Sequence, residues 1–246
     1  MKKTVLVAMA VVAFGLGSAI AAAIVSDTFS YADGSLVPNG GWTTHSGVAG
    51  DLLVASGEAV VQHGVPSEDA HLPFTATQGN VYFGIDVTVN ASGIITGGDY
   101  EYFAHFFPVG TFNFRARLDV VDAPGGGDFT FGISSIGSTA DATWPADLSF
   151  GTTYRLVVRY DQDANIAELW VNPTVETDPS ILGNDELDPG DVVDAFALRQ
   201  SDSSLNETVN VDNLCVGASF TDVLSCSTVG VEQSSWSTVK SLFGDK

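Results

Sequence analysis

Hydrophobic and polar residues alternate with a period of two along most of the chain between Asp27 and Gly217. This spacing puts every second side chain on one face, as in a β-strand with one buried face. Turn-forming segments such as Pro38–Gly41 and Pro124–Asp128 separate the runs. The pattern predicts about a dozen short strands in an all-β, antiparallel two-sheet jelly-roll sandwich.

Individual strands show which face is buried. The valine, phenylalanine and isoleucine residues of segment 81–89 share one side, and segment 100–107 is apolar on both sides, which indicates a central strand. In segment 112–120, Phe112, Phe114, Ala116, Leu118 and Val120 are expected to point inward. Segments 154–160 and 166–171 form a predicted hairpin, and an acidic excursion follows over 173–190.

The two ends of the chain differ from this pattern. Two lysines, an apolar run from Val5 to Ala13 and a small-residue stretch predict a signal peptide over residues 1–23, and hence a secreted or cell-surface protein. A membrane anchor is the alternative, but the run is short. At the other end, segment 221–246 predicts a tail with a short amphipathic helix that begins near Ser234.

The net charge of the chain limits the kinds of binding partner that it can have. The chain has 30 acidic and 9 basic residues, a formal net charge of −21. Nucleic acid is excluded as a partner because a nucleic-acid binder must neutralise phosphates. The same charge argues against anionic lipid surfaces, and no membrane span is expected in the mature protein. The strong negative charge favours high solubility outside the cell. The alternative is that the acidic residues contact divalent cations.

The only two cysteines, Cys215 and Cys226, predict one disulfide bond, because an even cysteine count in an exported chain favours pairing. No histidine lies close to either cysteine in the sequence, which disfavours a metal site.

Three segments carry a resemblance to a known family: DTFSYADGSLVPNGGWTTHSG, YRLVVRYDQDANIAELWVNP and AFALRQSDSSLNETVNVDNLCVG. Together they resemble the exported concanavalin A-like (laminin-G-like) jelly-roll domains of environmental bacteria. The resemblance implies a sandwich over residues 24–220 and leaves the function open, since this architecture carries lectins, glycan hydrolases, lyases, adhesins and spacers.

Two catalytic motifs of similar sandwiches are missing. The glucanases place paired carboxylates on one strand, and Asp99 with Glu101 is the nearest approach. Alginate-lyase-like sandwiches use Gln-x-His with a tyrosine and an arginine. Here Tyr102 and His105 are expected to point in opposite directions on a regular strand.

The concave sheet face is the predicted ligand surface. If neighbouring strands alternate as expected, it displays carboxylates, arginines and aromatic rings suited to a glycan: Tyr82, Asp86, Glu101, His105, Arg115, Arg117 and Asp119. A cross-strand charge ladder that only stabilises the sheet is the alternative.

Calcium is the only cofactor that the sequence suggests. Asp161, Asp163 and Asn165 place oxygen atoms at alternate positions of a turn, although a solvated Asx turn explains the same pattern. The family resemblance adds a second candidate calcium corner at Asp27 and Asp212.

These observations predict an exported, non-catalytic extracellular or cell-surface module that binds glycan through its concave face. The partner would be an extracellular polysaccharide or the cell envelope. A structural or adhesive envelope protein attached by its tail is one alternative, and a polysaccharide hydrolase or lyase is another.

Overall fold

The computed structural model describes residues 23–64, 67–96, 102–185, 189–200 and 207–225. Over these ranges the chain forms β-strands, one 3₁₀ turn (Asn39–Gly41) and one short helix, α1 (Phe220–Leu224). The strands are β1 (Val25–Asp27), β2 (Gly34–Ser35), β3 (Thr43–Ser46), β4 (Leu53–Ala55), β5 (Glu58–Gln62), β6 (Asp69–Pro73), β7 (Asn80–Asn90), β8 (Tyr102–Phe107), β9 (Arg115–Val121), β10 (Thr130–Ser134), β11 (Ala142–Thr143), β12 (Thr153–Asp161), β13 (Ile166–Val171), β14 (Ile181–Gly183), β15 (Ala195–Arg199) and β16 (Thr208–Gly217).

The strands form two sheets, which we call sheet A and sheet B. Sheet A has nine strands in the order β14-β13-β12-β7-β16-β5-β4-β2, with β1 also pairing with β16. Sheet B has seven strands in the order β11-β10-β9-β8-β15-β6-β3. The paired strands are antiparallel throughout, which confirms the predicted two-sheet sandwich.

The interior lies between the two sheets. Sheet A contributes the inward row of β7, and sheet B contributes large aromatic side chains. Phe83 of β7 meets Phe106 and Phe196 of sheet B with ring centroids 5.1 and 5.0 Å apart. Each sheet therefore has one face in this interior and one outer face, and the outer faces are where ligands can bind.

Most of the predicted strand faces are confirmed. The valine, phenylalanine and isoleucine residues of segment 81–89 are all buried in the interior, as are Leu156 and Val158 of β12. The predicted hairpin of segments 154–160 and 166–171 is formed by β12 and β13. A second hairpin, which turns at Gly57, joins β4 to β5. Every residue of β8 is buried, as expected for a central strand apolar on both sides.

The prediction that Phe112 and Phe114 point into the interior is wrong. Phe112 is 73 % exposed, and Phe114 packs against Phe107 on the outer face of sheet B. The reason is local: β9 begins only at Arg115, and Ala116 has a left-handed backbone with φ of 51°. This irregularity interrupts the alternation, so Phe114 lies on the opposite face from Ala116.

The short helix α1 packs on part of the outer face of sheet A. Phe220 and Val223 of the helix pack on Trp170 and Tyr82 of the sheet. Gly84 makes this approach possible, because a Cβ atom there would lie 2.3 Å from the carbonyl oxygen of Val223.

One arginine fixes the end of that helix. The Arg155 guanidinium donates to the carbonyl of Leu224 at 3.1 Å and to that of Val223, and it pairs with Asp86 at 3.2 Å. Lone carbonyl groups at a helix C-terminus are satisfied in this way.

Several predictions fall on residues that the structure does not describe. The signal peptide and the tail helix near Ser234 lie outside the described residues. Cys215 is buried beneath α1, but Cys226 also lies outside them, so the disulfide bond stays a prediction. Within the described ranges, no helix is long and apolar enough to cross a membrane.

Candidate functional site on the outer face of sheet B

The outer face of sheet B carries histidine, aromatic, arginine and aspartate side chains close together. We call it the histidine face and define it by the outward residues of β3, β6, β8, β9 and β15 together with the β8–β9 loop. Its members are His45, Asp69, His71, Tyr102, His105, Phe107, Phe112, Phe114, Arg117, Asp119 and Arg199.

Strand register arranges this face in two rows. The first row crosses from His71 through Ala197 to His105, since both histidines lie opposite Ala197 on β15. The second row, two residues along the strands, joins Asp69 to Arg199. Rows two residues apart on a sheet are separated by about 7 Å, a distance that one sugar ring can span.

The histidines form one aromatic cluster. The ring of His45 lies 4.5 Å from that of Phe107 and 5.8 Å from that of His71. His105 lies 5.8 Å from Phe107 and 4.3 Å from Phe114. The small side chains of Ala195 and Ala197 leave the space that Phe107 and Phe114 fill between the two histidine positions.

These histidines are neutral at physiological pH. Burial lowers the pKa of His45, and the nearby His71 lowers it further. Burial also lowers the pKa of His71, partly opposed by Asp194 and the Thr43 backbone. The pKa of His105 is held well below its ordinary value, first by complete burial and then by the charge of Arg117.

His105 has an unusual environment for a polar side chain. It is 0 % exposed, and neither ring nitrogen has a hydrogen-bond partner. A buried polar group without a partner costs about 1–3 kcal/mol, so its place here is not explained by stability.

The second row is built around Tyr102. Two guanidinium groups lie over its ring, that of Arg199 at 4.2 Å and that of Arg117 at 4.7 Å from the centroid. Arg117 also lies 5.4 Å from the ring of Phe114. Burial raises the pKa of the Tyr102 phenol while both arginines oppose the rise. Planar guanidinium groups held on aromatic rings are well oriented to bind oxygen atoms of a ligand.

Two carboxylates flank this pair of arginines. Asp69 accepts a hydrogen bond of 2.7 Å from the Ser46 hydroxyl, and burial raises its pKa. Asp119 is fully buried and lies opposite Tyr102 in the register of β8 and β9. The face therefore carries hydrogen-bond acceptors as well as donors.

The β8–β9 loop covers one end of the face. Phe114 packs on the sheet, and the Phe112 ring lies 5.3 Å from His45 while most of its surface meets solvent. The Val109 amide donates to Asp194 at 2.7 Å, which ties the loop to the segment before β15. An exposed ring next to a polar face is a suitable platform for an apolar sugar face.

The structure corrects the expectation that Tyr102 and His105 point apart. Their rings are 5.5 Å from each other on the same face. The register of β8 against β9 shifts twice, between Tyr102 and Ala104 and again between Ala104 and Phe106. A bulge adds a residue to one strand and changes which side chains share a face.

The candidate ligand residues do not all lie together. His105, Arg117 and Asp119 are on the histidine face, whereas Tyr82 and Asp86 belong to β7 of sheet A. This part of the prediction is corrected, because β7 pairs with β12 and β16 and not with β8 or β9.

The remaining candidates are placed as follows. Arg115 pairs with Asp191 at 2.6 Å. Tyr82 donates to Glu176 at 2.9 Å. Glu101 lies outside the described residues.

The Asp161 hairpin has the geometry of an Asx turn. Asp161 accepts from the backbone amides of Asp163 and Ala164 at 3.0 and 2.9 Å. Asn165 is buried, and its side-chain oxygen accepts from the Tyr160 hydroxyl at 2.9 Å. The ligand atoms suggested for calcium therefore face different groups and do not fit one ion.

The other candidate corner is also engaged internally. β1 pairs with β16, as expected, but Asp27 accepts from the Phe29 amide, the Tyr31 hydroxyl and the Trp42 indole at 2.7, 2.9 and 2.7 Å. Asp212 accepts from the Asn213 amide at 2.6 Å. In the part of the chain that the structure describes, no three His, Cys, Asp or Glu residues are grouped to hold a metal ion.

Comparison with known proteins identifies the fold. No protein-family model and no curated protein sequence matches the chain. Among solved structures, the Emp47p carbohydrate recognition domain is similar, with a TM-score of 0.50 and 14 % identity over 83 % of this chain and 99 % of that one. A sialidase gives a TM-score of 0.51 and 14 % identity over 81 % of this chain but 19 % of the sialidase. The chain has the concanavalin A-like sandwich fold.

Sequence spacing missed several residues of the histidine face. His45, His71, Phe107 and Arg199 come from four strands, and their proximity depends on the order β8-β15-β6-β3. The sequence carries no local signal for this grouping, because His45, His71 and His105 lie in three separate segments of the chain.

Proposed function

We propose that this protein is a glycan-binding module and that the histidine face is its binding surface. The observation that carries the proposal is the combination on one sheet face of stacked rings, neutral imidazoles and guanidinium groups over Tyr102. Sugars present apolar ring faces for stacking and hydroxyl groups for hydrogen bonding, and this face offers partners for both.

Two further observations support the proposal. The histidine face lies on the opposite side of the sandwich from α1, so the helix does not cover it. The fold is shared with a carbohydrate recognition domain and with part of a sialidase. We infer that the module works outside the cell, as its N-terminal sequence predicts.

Binding is tested by presenting purified protein with an array of polysaccharides, once with calcium and once with a chelator. Phe112→Ala removes the exposed ring of the histidine face, and we expect affinity to fall about fivefold for the loss of about 1 kcal/mol of stacking. Leu182→Ala is the matched control, since Leu182 is an exposed apolar residue of sheet A.

The outcomes of this test are distinct. Binding that Phe112→Ala weakens and Leu182→Ala leaves unchanged supports the proposed surface. Binding weakened only by the control would move the surface to sheet A. The absence of binding to any glycan would overturn the proposal and favour the structural or adhesive alternative.

One observation favours a second candidate function, a polysaccharide lyase. The structure places Tyr102, His105 and Arg117 on one face, a combination that can move protons and neutralise a uronate carboxylate. However, His105 is completely buried and Tyr102 almost so, whereas catalytic groups must touch the substrate. Tyr102→Phe removes only the hydroxyl group, so formation of unsaturated product by the wild type and not by this variant would establish the lyase.

A further inference from the structure

We infer that the histidine face is selective for glycans that carry an oxyanion, and that Arg117 is the residue that receives this anionic group. This inference rests on the proposed function and names the class of glycan.

The first argument comes from the distribution of positive charge. Over the described ranges the basic residues are five arginines and no lysine. On sheet A, Arg155 pairs with Asp86 at 3.2 Å and Arg159 with Glu168 at 2.6 Å. On β9, Arg115 pairs with Asp191 at 2.6 Å.

Arg117 differs from these three arginines. No carboxylate of the described residues lies within ion-pair distance of it, although the chain has 30 acidic residues and only 9 basic ones. Its Nε atom is buried without a hydrogen-bond acceptor, as are those of Arg115 and Arg159, so the missing carboxylate is what distinguishes Arg117 from them. A half-buried cation without an acceptor in such an acidic chain is a costly arrangement, and a bound anion would supply what is missing.

The second argument comes from the neighbouring side chain. His105 lies close enough to Arg117 for the guanidinium charge to lower the pKa of the imidazole. Both ring nitrogens of His105 also lack partners. His105 is completely buried and neutral, so it touches no ligand and does not compensate the charge of Arg117, which is left for an anion to meet.

The rest of the face orients Arg117 without neutralising it. The rings of Tyr102 and Phe114 hold the guanidinium from one side, and Arg199 shares the Tyr102 ring and repels Arg117. Asp119 attracts Arg117 and therefore competes with an incoming anion. Removing that carboxylate should strengthen anion binding.

The anion can be a uronate carboxylate or a sulfate ester, and paired polymers distinguish them. Polygalacturonate is compared with its methyl ester, which keeps the sugar and removes the charge. Dextran sulfate is compared with dextran. We expect at least one charged polymer to bind about tenfold more tightly than its neutral partner, as for one charge-assisted hydrogen bond.

Variants then assign the anion to Arg117. Arg117→Gln should reduce affinity for the charged polymer about tenfold, and Arg117→Lys should retain part of it because the charge is kept and the planar fork is lost. Arg159→Gln is the matched control on sheet A and should have no effect. Asp119→Asn should increase affinity. Near-ultraviolet circular dichroism checks that each variant is folded, and Arg117→Lys carries the test if Arg117→Gln is not.

The results separate this inference from the proposed function. If the neutral polymers bind as tightly as the charged ones, or if the Arg117 variants bind like the wild type, selectivity for anions is refuted while glycan binding stands. If no polymer binds, both fail.

Discussion

Replacing His105 by leucine should make the protein more stable, although it alters the histidine face. His105 is fully buried and its ring nitrogens have no hydrogen-bond partners. Leucine has a similar volume and requires no hydrogen bond, so the cost of an unpartnered polar group disappears. We expect the free energy of unfolding to increase by about 1 kcal/mol at pH 7.5.

The same substitution should reduce the sensitivity of the protein to acid. An unfolded histidine takes up a proton near pH 6.5, whereas His105 stays neutral in the folded protein because burial and Arg117 lower its pKa. The unfolded state therefore gains protons as the pH falls through 6.5, and stability decreases. Between pH 7.5 and 5.5 one such histidine costs about 1.4 kcal/mol, and His105→Leu removes that contribution.

Urea unfolding followed by tryptophan fluorescence at pH 7.5 and 5.5 measures both effects. His105→Gln is the control, because glutamine is polar but does not titrate. It should reduce the acid sensitivity like leucine without the gain at pH 7.5. If His105→Leu is less stable than the wild type at pH 7.5, the imidazole has a stabilising partner. If its loss of stability at pH 5.5 equals that of the wild type, His105 is not kept neutral by burial.

Three further predictions concern the scaffold. Arg155→Gln should release α1 and lower the free energy of unfolding by about 2–4 kcal/mol, because the guanidinium joins the last turn of α1 to sheet A. Faster hydrogen exchange of the α1 amides would show this release. Asp27→Ala should cost about 3 kcal/mol by leaving the buried Trp42 indole without an acceptor, measured by urea unfolding. Alkylation read by mass should label Cys215 and Cys226 only after reduction, if they form the predicted disulfide.

Each of these three predictions can be contradicted by a specific measurement. Unchanged exchange in α1 would mean that Phe220 and Val223 hold the helix without Arg155. Asp27→Ala with wild-type stability would show that Trp42 finds another acceptor. Labelling of both cysteines without a reductant would exclude the disulfide bond.

The scaffold could be predicted from the sequence because its signals are local. Segment 81–89 alternates regularly, and its apolar side chains face the interior as expected. Gly57 marks the hairpin between β4 and β5. In both cases the backbone periodicity or a turn residue carries the information within a few neighbouring positions.

The candidate site was predicted only in part, because its residues meet through strand order and through irregularities. A surface shared by Tyr82 and His105 requires β7 and β8 to be neighbours, whereas β7 lies in sheet A and β8 in sheet B. Tyr102 and His105 share a face only because the register of β8 and β9 shifts. Phe114 joins them because of the left-handed backbone at Ala116.

The sequence by itself therefore determined the fold class, the strand faces and the strongly negative charge, all of which follow from composition and local periodicity. The tertiary structure decided which polar residues share a surface. Hydrogen bonding between strands far apart in the chain brings His45, His71 and His105 together. The pairing partner of a strand depends on the packing of both sheets against one interior, and no single segment of the sequence contains that information.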